Sequence, residues 1–482
     1  MCGIFGGYNI DRIETEKGIN LIKRGNDGIT ISQLSDKIFF SARRHLIKFS
    51  GDEESLSGKS DQPYFSEDKN ISLIFNGEFY NFEKYKKNLI QKKINFKTEG
   101  DTEVLLKLYE NFGINFLRDK KIDSLYSIAI YDKKLNKIFI SRDWPGRIPL
   151  YYHYEKGKFI FSSELKAFKA INNLSLQSPN ELEPGKILEY DINKDELNEV
   201  SKYNLEPFVS KNTNDILKLG EEMHNVLNES AKNRTMGDFP ICTMLSGGID
   251  SVLTTYYVLK NIDFNKVEYQ PTSYVFRIKG FDSIDVKTAK VATLGFQKIG
   301  LKLKIIEAEE NQVVKDMPKI VEAFEMRQLK ALSFYPLPIY WYLATEMHSD
   351  GFKVTIGGHG VDELLGAYTT WKELKTSHEA QIKLRSRKAF INNIYNNMLK
   401  RASIIFMNRG PIEARFPFLN HEVCEFMLGI DPKWLSLSKF NAEIMINLIE
   451  ETKIKASLNK IYKNFFLYLD DEKAFFKDLS SE

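Results

Sequence analysis

Leu245-Ser246-Gly247-Gly248-Ile249-Asp250-Ser251 follows an apolar run, Phe239 to Leu245, and precedes a helical-looking segment, Ser251 to Ile262. An apolar strand feeding a Gly-rich turn that opens a helix makes a phosphate cradle. Backbone N–H groups and the hydroxyls of Ser246 and Ser251 face an oxyanion at the helix N-terminus, and Gly247 and Gly248 let the backbone come close. Asp250 in the same turn is placed to hold a Mg²⁺ against those phosphates. The GxxxxGK[ST] P-loop carries a lysine that reaches the phosphates; this turn has none, which points to pyrophosphate chemistry rather than γ-phosphoryl transfer. The bland alternative is a Gly-Ser turn with no ligand.

Outward from this turn the pattern alternates. Ser273 to Ile278 is strand-like, Ile284 to Phe296 helix-like, Leu301 to Ile306 and Phe352 to Ile356 strand-like. Such alternation predicts a doubly wound, parallel α/β sheet with its ligand at the strand carboxyl ends. Gly357-Gly358-His359-Gly360-Val361-Asp362-Glu363 directly follows the last of these strands. Upstream, Asn214 or Asp215 caps a helix with Ile216, Leu219, Met223, Val226 and Leu227 on one face. The polar stretch Ser201 to Asn214, with Pro207, is the expected boundary, giving domains 2-205 and 213-482. The first domain reads as β-rich: Ser127 to Tyr131 and Lys137 to Ser141 form one hairpin, Tyr151 to Tyr154 and Lys158 to Ser162 another. A helix is expected over Thr102 to Phe112, through Val104, Leu105, Leu108 and Phe112. These elements suit an α+β sandwich.

Composition narrows the function. The chain has 482 residues, 43% hydrophobic and 28% charged, with a net charge of +3, so nothing in the balance calls for nucleic acid or a membrane as partner. Cys2, Cys242 and Cys424 are widely spaced and form no CxxC, which argues against a disulfide framework or a zinc site and for a reducing cytoplasm. The longest apolar run, Ala331 to Ala344, is broken by Pro336 and Pro338, short of the roughly 18 residues of a spanning helix. The N-terminus lacks the charged region and apolar core of a signal peptide.

Cys2 is the second signal. Removal of Met1 is expected, leaving a cysteine whose α-amine, with a reference pKa of about 7.7 to 8.0, serves as its own general base. The alternative is a structural cysteine near a strand end. Behind it come Lys23-Arg24-Gly25-Asn26-Asp27-Gly28, Ala42-Arg43-Arg44-His45-Leu46, Asn76-Gly77-Glu78-Phe79-Tyr80-Asn81, Thr98-Glu99-Gly100-Asp101-Thr102-Glu103 and Ser141-Arg142-Asp143-Trp144-Pro145-Gly146-Arg147. Each alone reads as turn chemistry. In this order they resemble the glutaminase domain of class II glutamine amidotransferases, asparagine synthetases in particular, and the SGGxDS turn resembles the loop of the N-type ATP pyrophosphatases.

The resemblance, which spans residue 2 to about 422, implies a sandwich of the N-terminal-nucleophile hydrolases followed by a doubly wound ATP pyrophosphatase domain. It implies Cys2 as the nucleophile, Asn76 and the Gly77 N–H as oxyanion donors, Arg44 for the glutamine carboxylate, and Glu78 and Asp101 as candidates for its ammonium. ATP falls to Leu245 through Ser251, Phe276, Gly357 and Gly358, and Mg²⁺ to Asp250 and Asp362. The expected reaction adenylates a carboxylate, aspartate by default, which ammonia from glutamine converts to an amide; the resemblance leaves room for a homodimer.

Several positions depart from the family. Asn26 stands where proline is usual and His45-Leu46 where Leu-Ser is usual. His359 replaces a glutamate near the acceptor, turning a permanent acceptor into a group that can donate or titrate. Met326 to Ala331 replaces a Thr-Thr-x-Arg-Ala-Ser run, with Lys330 or Arg327 as the available cation. Lys439 is a candidate for a lysine of the family's C-terminal motif. Ile412-Glu413-Ala414-Arg415-Phe416-Pro417-Phe418-Leu419-Asn420 resembles the family's EARVPFLD stretch and reads mainly as packing, with Arg415 a weaker functional candidate. Three other readings stay open. One is the same adenylating chemistry on another acceptor, as in lasso-peptide cyclases and β-lactam synthetases. Another is a silent nucleotide- or glutamine-binding regulator, and the last a tRNA-thiolating relative, which would be expected to carry Cys pairs or a basic domain.

Overall fold

The computed structural model describes residues 2–47, 61–203, 216–237, 239–263, 269–325, 336–365, 391, 394–395 and 399–430. The first unit is built from short apolar runs buried on both faces. Its strands are β1 (Gly3–Tyr8), β2 (Ile29–Ser35), β3 (Ile38–Arg43), β4 (Tyr64–Phe65), β5 (Ile71–Phe79), β6 (Ser124–Asp132), β7 (Lys137–Arg142), β8 (Tyr151–Glu155), β9 (Lys158–Ser162), β10 (Asn180–Glu181), β11 (Lys186–Asp191) and β12 (Glu196–Lys202). They form two antiparallel sheets, ordered β10-β8-β9-β1-β3-β2 and β12-β11-β7-β6-β5-β4.

Alternation along each strand stacks the layers. Ile4, Phe40 and Phe161 of the first sheet meet Ile74, Ala129 and Ile140 of the second in one cluster between the sheets. The intervening residues turn outward: Phe5 packs with Ile19 of helix Arg12–Leu21, and Leu73 and Phe75 pack with Val104 and Leu108 of helix Asp101–Phe112. The result is a helix, sheet, sheet, helix sandwich, each fully buried Ile or Phe contributing about 1.5–3 kcal/mol. Phe112, expected on the buried stripe, is 48% exposed, with Lys92 over its ring.

The second unit carries β13 (Ile241–Met244), β14 (Thr272–Ile278), β15 (Lys302–Ala308), β16 (Val354–Ile356) and β17 (Glu413–Arg415), all parallel, ordered β15-β14-β13-β16-β17. The order reverses between β13 and β16, so the turns after these two strands open side by side at a topological switch point.

Three expectations are corrected and one boundary is narrowed. Asn76, Gly77, Glu78 and Phe79 do not form a turn after β5 but extend it, Gly77 opposite Tyr126. Helix Ile249–Asn261 starts two residues early, so Ile249, Asp250 and Ser251 are its first turn. The expected boundary begins inside β12, which runs to Lys202 and pairs with β11. The Glu413 stretch is not packing alone but the edge strand β17. Asn214, Asp215, Arg327, Lys330 and Lys439 lie outside the described residues.

The two units meet across charged groups that are buried in pairs. Arg234 donates to both oxygens of Asp123, and Arg24, bound to Glu164 at 2.9 Å, also reaches Met407 Sδ at 3.1 Å. Among the described residues no helix is long and apolar enough to cross a membrane.

Candidate functional site

At the start of β1 the Cys2 thiol is enclosed by protein although the residue keeps some exposure. Its Sγ accepts the His45 backbone N–H at 3.4 Å. Burial pushes the thiol pKa up; the His45 N–H and the Arg44 charge pull it down, and Glu413 of β17 pushes it up again. Nearby, Asn76 is wholly buried on the inter-sheet face of β5; its Nδ2 faces Ser163 Oγ at 3.4 Å, and Ser163 Oγ also accepts the Ile4 N–H at 3.0 Å. Asn76 Oδ1 has no hydrogen-bond partner among the described residues. Ser163 thus sets the Asn76 amide.

The charged ends of the pocket follow. Arg44 Nη1 is paired with the carboxylate of Asp61, so a carboxylate already sits where glutamine's was expected. Asp101 opens its helix and accepts the Phe79 N–H at 3.1 Å, which brings it beside Glu78 at the end of β5. The unusual His45-Leu46 pair makes its hydrogen bonds through the backbone, His45 N–H to Cys2 and Leu46 N–H to Asp27 at 2.8 Å, while the His45 ring lies 3.8 Å from the same Asp27 carboxylate. A change of side chain leaves these bonds in place. Burial, then the positive charges of the amino terminus and of Lys353, hold the His45 pKa well below the usual imidazole value.

The Ser246 turn is held by its own hydroxyls. Ser246 Oγ lies 3.2 Å from Ser251 Oγ and accepts the Gly248 N–H at 3.4 Å; Thr288 Oγ1 donates to the Ser246 carbonyl at 2.7 Å. Gly247 has φ +82°, and a Cβ there would lie 2.2 Å from the Thr288 backbone carbon, so glycine is required twice over. Gly248 is the N-cap of the following helix and no side chain caps it, which leaves the first-turn amides facing the crevice. A Cβ on Gly358 would lie 2.8 Å from the Asp250 backbone, so the turns after β13 and β16 touch. Burial raises the Asp250 pKa well above the carboxylate range, and Asp362 and Glu363 raise it further. Phe276, near the end of β14, stacks on Tyr342 at 5.5 Å with an interplanar angle of 4°.

His359 is the next residue along the second turn. Its Nε2 lies 2.9 Å from Tyr340 Oη and its ring meets Phe416 edge-on at 4.8 Å. Burial, then the Arg401 charge, lowers its pKa to about 4. Of the two roles open to it, donor or titrating group, the structure fits the first: near neutral pH His359 is an uncharged hydrogen-bonding group.

The structure thus places Arg44 near Cys2, Asn76 on the same inter-sheet layer, and Gly77, Glu78 and Asp101 at the end of β5; it brings the turn of residues 246–251 against Gly358, with Asp362 near Asp250, and sets Phe276 against Tyr342. Sequence reasoning missed Ser163, Thr288 and Tyr340, whose roles depend on contacts from distant segments.

Residues 1–202 match the family model for a glutamine amidotransferase domain and residues 222–409 that for asparagine synthase. A probable glutamine-hydrolysing asparagine synthetase of Dictyostelium discoideum is 27% identical, over 90% of this chain and 76% of that protein. Asparagine synthetase B of Escherichia coli (strain K12) is 26% identical over the same shares. Asparagine synthetase 1 of Bacillus subtilis (strain 168) is 26% identical over 100% of this chain and 73% of its own length.

Proposed function

The chain belongs to the glutamine-hydrolysing asparagine synthetase family, and from that premise we infer that its two pockets run one reaction in sequence. It is a glutamine-dependent, ATP-consuming, amide-forming ligase. Cys2, as the amino-terminal residue once Met1 is removed, attacks the glutamine side-chain amide. Its thiol proton passes to the α-amine, and Asn76 with the Gly77 N–H receives the oxyanion. Ammonia leaves, and water releases glutamate from the thioester. Arg44 takes the substrate carboxylate by displacing Asp61, and Glu78 and Asp101 take the ammonium.

In the second pocket the first-turn amides of helix Ile249–Asn261 and the Ser246 and Ser251 hydroxyls hold ATP phosphates. A carboxylate acceptor is adenylated, and ammonia displaces AMP to give the amide. Mg²⁺ fits this site: the charge of Asp250 is crowded by Asp362 and Glu363, and two carboxylates with phosphate oxygens suit its octahedral shell. Among the described residues no three-ligand cluster stands ready without nucleotide. Asp250 and Asp362 would hold such an ion, and its chemistry there would be charge neutralisation of a pyrophosphate leaving group. The supporting observation is the pairing of an enclosed Cys2 beside Asn76 with an uncapped SGGIDS helix start in the same chain.

Aspartate is the default acceptor. His359 favours a second reading, the same chemistry on another carboxylate, because a neutral imidazole bonded to Tyr340 offers an aspartate ammonium no counter-charge at that position. Pyrophosphate release with ATP, Mg²⁺ and glutamine, with and without aspartate, separates the two: stimulation with asparagine formed supports aspartate, and glutamine hydrolysis indifferent to aspartate supports another acceptor. Cys2→Ala should abolish glutamine-dependent release, by about 10³-fold or more, and leave ammonia-dependent release intact. Loss of both would overturn the division between pockets.

A further inference from the structure

Arg415 of β17 makes contact with both pockets. Its side chain is wholly buried. Nε donates to Glu413 Oε1 at 2.7 Å, and Nη1 donates to the carbonyls of Arg234, at 2.7 Å, and of Met236. Nη2 has no hydrogen-bond partner among the described residues and lies 3.8 Å from Glu78 Oε2, in the glutamine pocket. At the other end of the same residue, the backbone carbonyl accepts the Gly357 N–H at 3.0 Å, in the nucleotide pocket. A planar fork with two of its nitrogens already bonded moves with its backbone rather than swinging freely.

We propose that Arg415 is a positioning residue that sets the Glu78 carboxylate and ties it to the Gly357 turn, so that filling the nucleotide pocket alters glutamine affinity. The proposal rests on the assignment of glutamine and ATP to the two pockets. Any shift of the Gly357 turn on nucleotide binding is passed by its N–H to the Arg415 carbonyl, and by the guanidinium to the 3.8 Å gap at Glu78. A group misplaced by about 1 Å in a binding site can cost on the order of 100-fold in rate, so a small shift suffices.

The test uses the full-length protein and Arg415→Lys, which keeps the charge and loses the fork. Glutamate formation from glutamine is measured with and without ATP·Mg²⁺, and ATP·Mg²⁺ affinity by calorimetry. In the parent, ATP·Mg²⁺ should lower the KM for glutamine by about threefold or more; in Arg415→Lys the KM should rise about tenfold and no longer respond to ATP. ATP affinity should stay within about twofold, because the Arg415 carbonyl is retained. A parent KM indifferent to ATP, a variant that keeps the ATP response, or a parallel loss of ATP affinity overturns the proposal. Should Arg415→Lys fail to fold, Glu413→Gln, which loosens the same guanidinium, is expected to lose the ATP response with a smaller rise in KM, and an unchanged response there overturns it equally. A parent that neither hydrolyses glutamine nor binds ATP would instead sink the functional assignment.

Discussion

The Cys2 pocket and the Ser246 pocket satisfy their polar groups in opposite ways. Around Cys2 the protein supplies partners itself: Asp61 for Arg44, the Phe79 N–H for Asp101, Ser163 for the Asn76 amide nitrogen, the His45 N–H for the thiol. Around Ser246 the helix start has no side-chain cap, and Asp250, Asp362 and Glu363 crowd like charges together. Between two antiparallel sheets most buried polar groups are paired within the protein, with Asn76 Oδ1 an exception. A turn at the carboxyl ends of parallel strands, with uncapped first-turn amides, is placed to meet a ligand. The first pocket is shaped before its substrate arrives; the second is completed by it.

The largest effect that could break this comparison belongs to Gly247→Ala. The added Cβ would need a left-handed backbone at φ +82° and would press on Thr288 at 2.2 Å. Strain of about 1–3 kcal/mol is expected at the turn, with ATP-dependent pyrophosphate release reduced by about 100-fold or more. Glutamine hydrolysis assayed without nucleotide should change less than about threefold, because the turn contributes nothing to the Cys2 pocket. Equal losses in both assays would show that the pockets are not built separately.

His359 should also govern stability in acid. Its folded pKa, about 4, lies below the ordinary 6.5, so the folded chain binds fewer protons than the unfolded chain between those values. Stability from this group therefore rises with pH through that window, is complete above about 6.5, and is lost as pH falls toward 4. The shift corresponds to about 3 kcal/mol. Urea unfolding of the parent and of His359→Gln between pH 4 and 7 should diverge by an amount of that order. Parallel curves would mean that the ring is not held neutral by the fold.

How far these pockets could be read from residues alone also differs. The parallel sheet and the Gly247 turn were legible because β13, β14 and β16 are apolar runs followed by glycine, each a local signal. The order of motifs behind Cys2 was legible as well. Strand β17 was not: three residues, Glu413-Ala414-Arg415, two of them charged, carry no strand pattern, and their ladder to Val354, Thr355 and Ile356 is a long-range contact. For the same reason Asn76 to Phe79 looked like a turn, since Asn-Gly favours one locally and only pairing with β6 overrides it. The sealing of His359 by Tyr340 and Phe416 also joins segments far apart in the chain, so residue type alone left a donor and a titrating group equally open.

The smallest effect tests the crowded charge directly. Asp250 has a folded pKa raised by burial and then by Asp362 and Glu363, so the folded chain binds more protons than the unfolded one above the ordinary carboxylate value. Its contribution to stability is therefore negative at neutral pH and improves as pH falls. Replacing it by the neutral Asp250→Asn should stabilise the nucleotide-free protein at pH 7, on the order of 1 kcal/mol, by relieving the like-charge contact. The same change should abolish the further stabilisation that ATP·Mg²⁺ gives the parent, because one of the two carboxylates proposed to hold the ion is gone. Thermal melts with and without ATP·Mg²⁺ carry both readouts. If Asp250→Asn instead destabilises the empty protein, the Ser246 pocket is as self-satisfied as the Cys2 pocket, and the carboxylates there serve the fold before they serve a ligand.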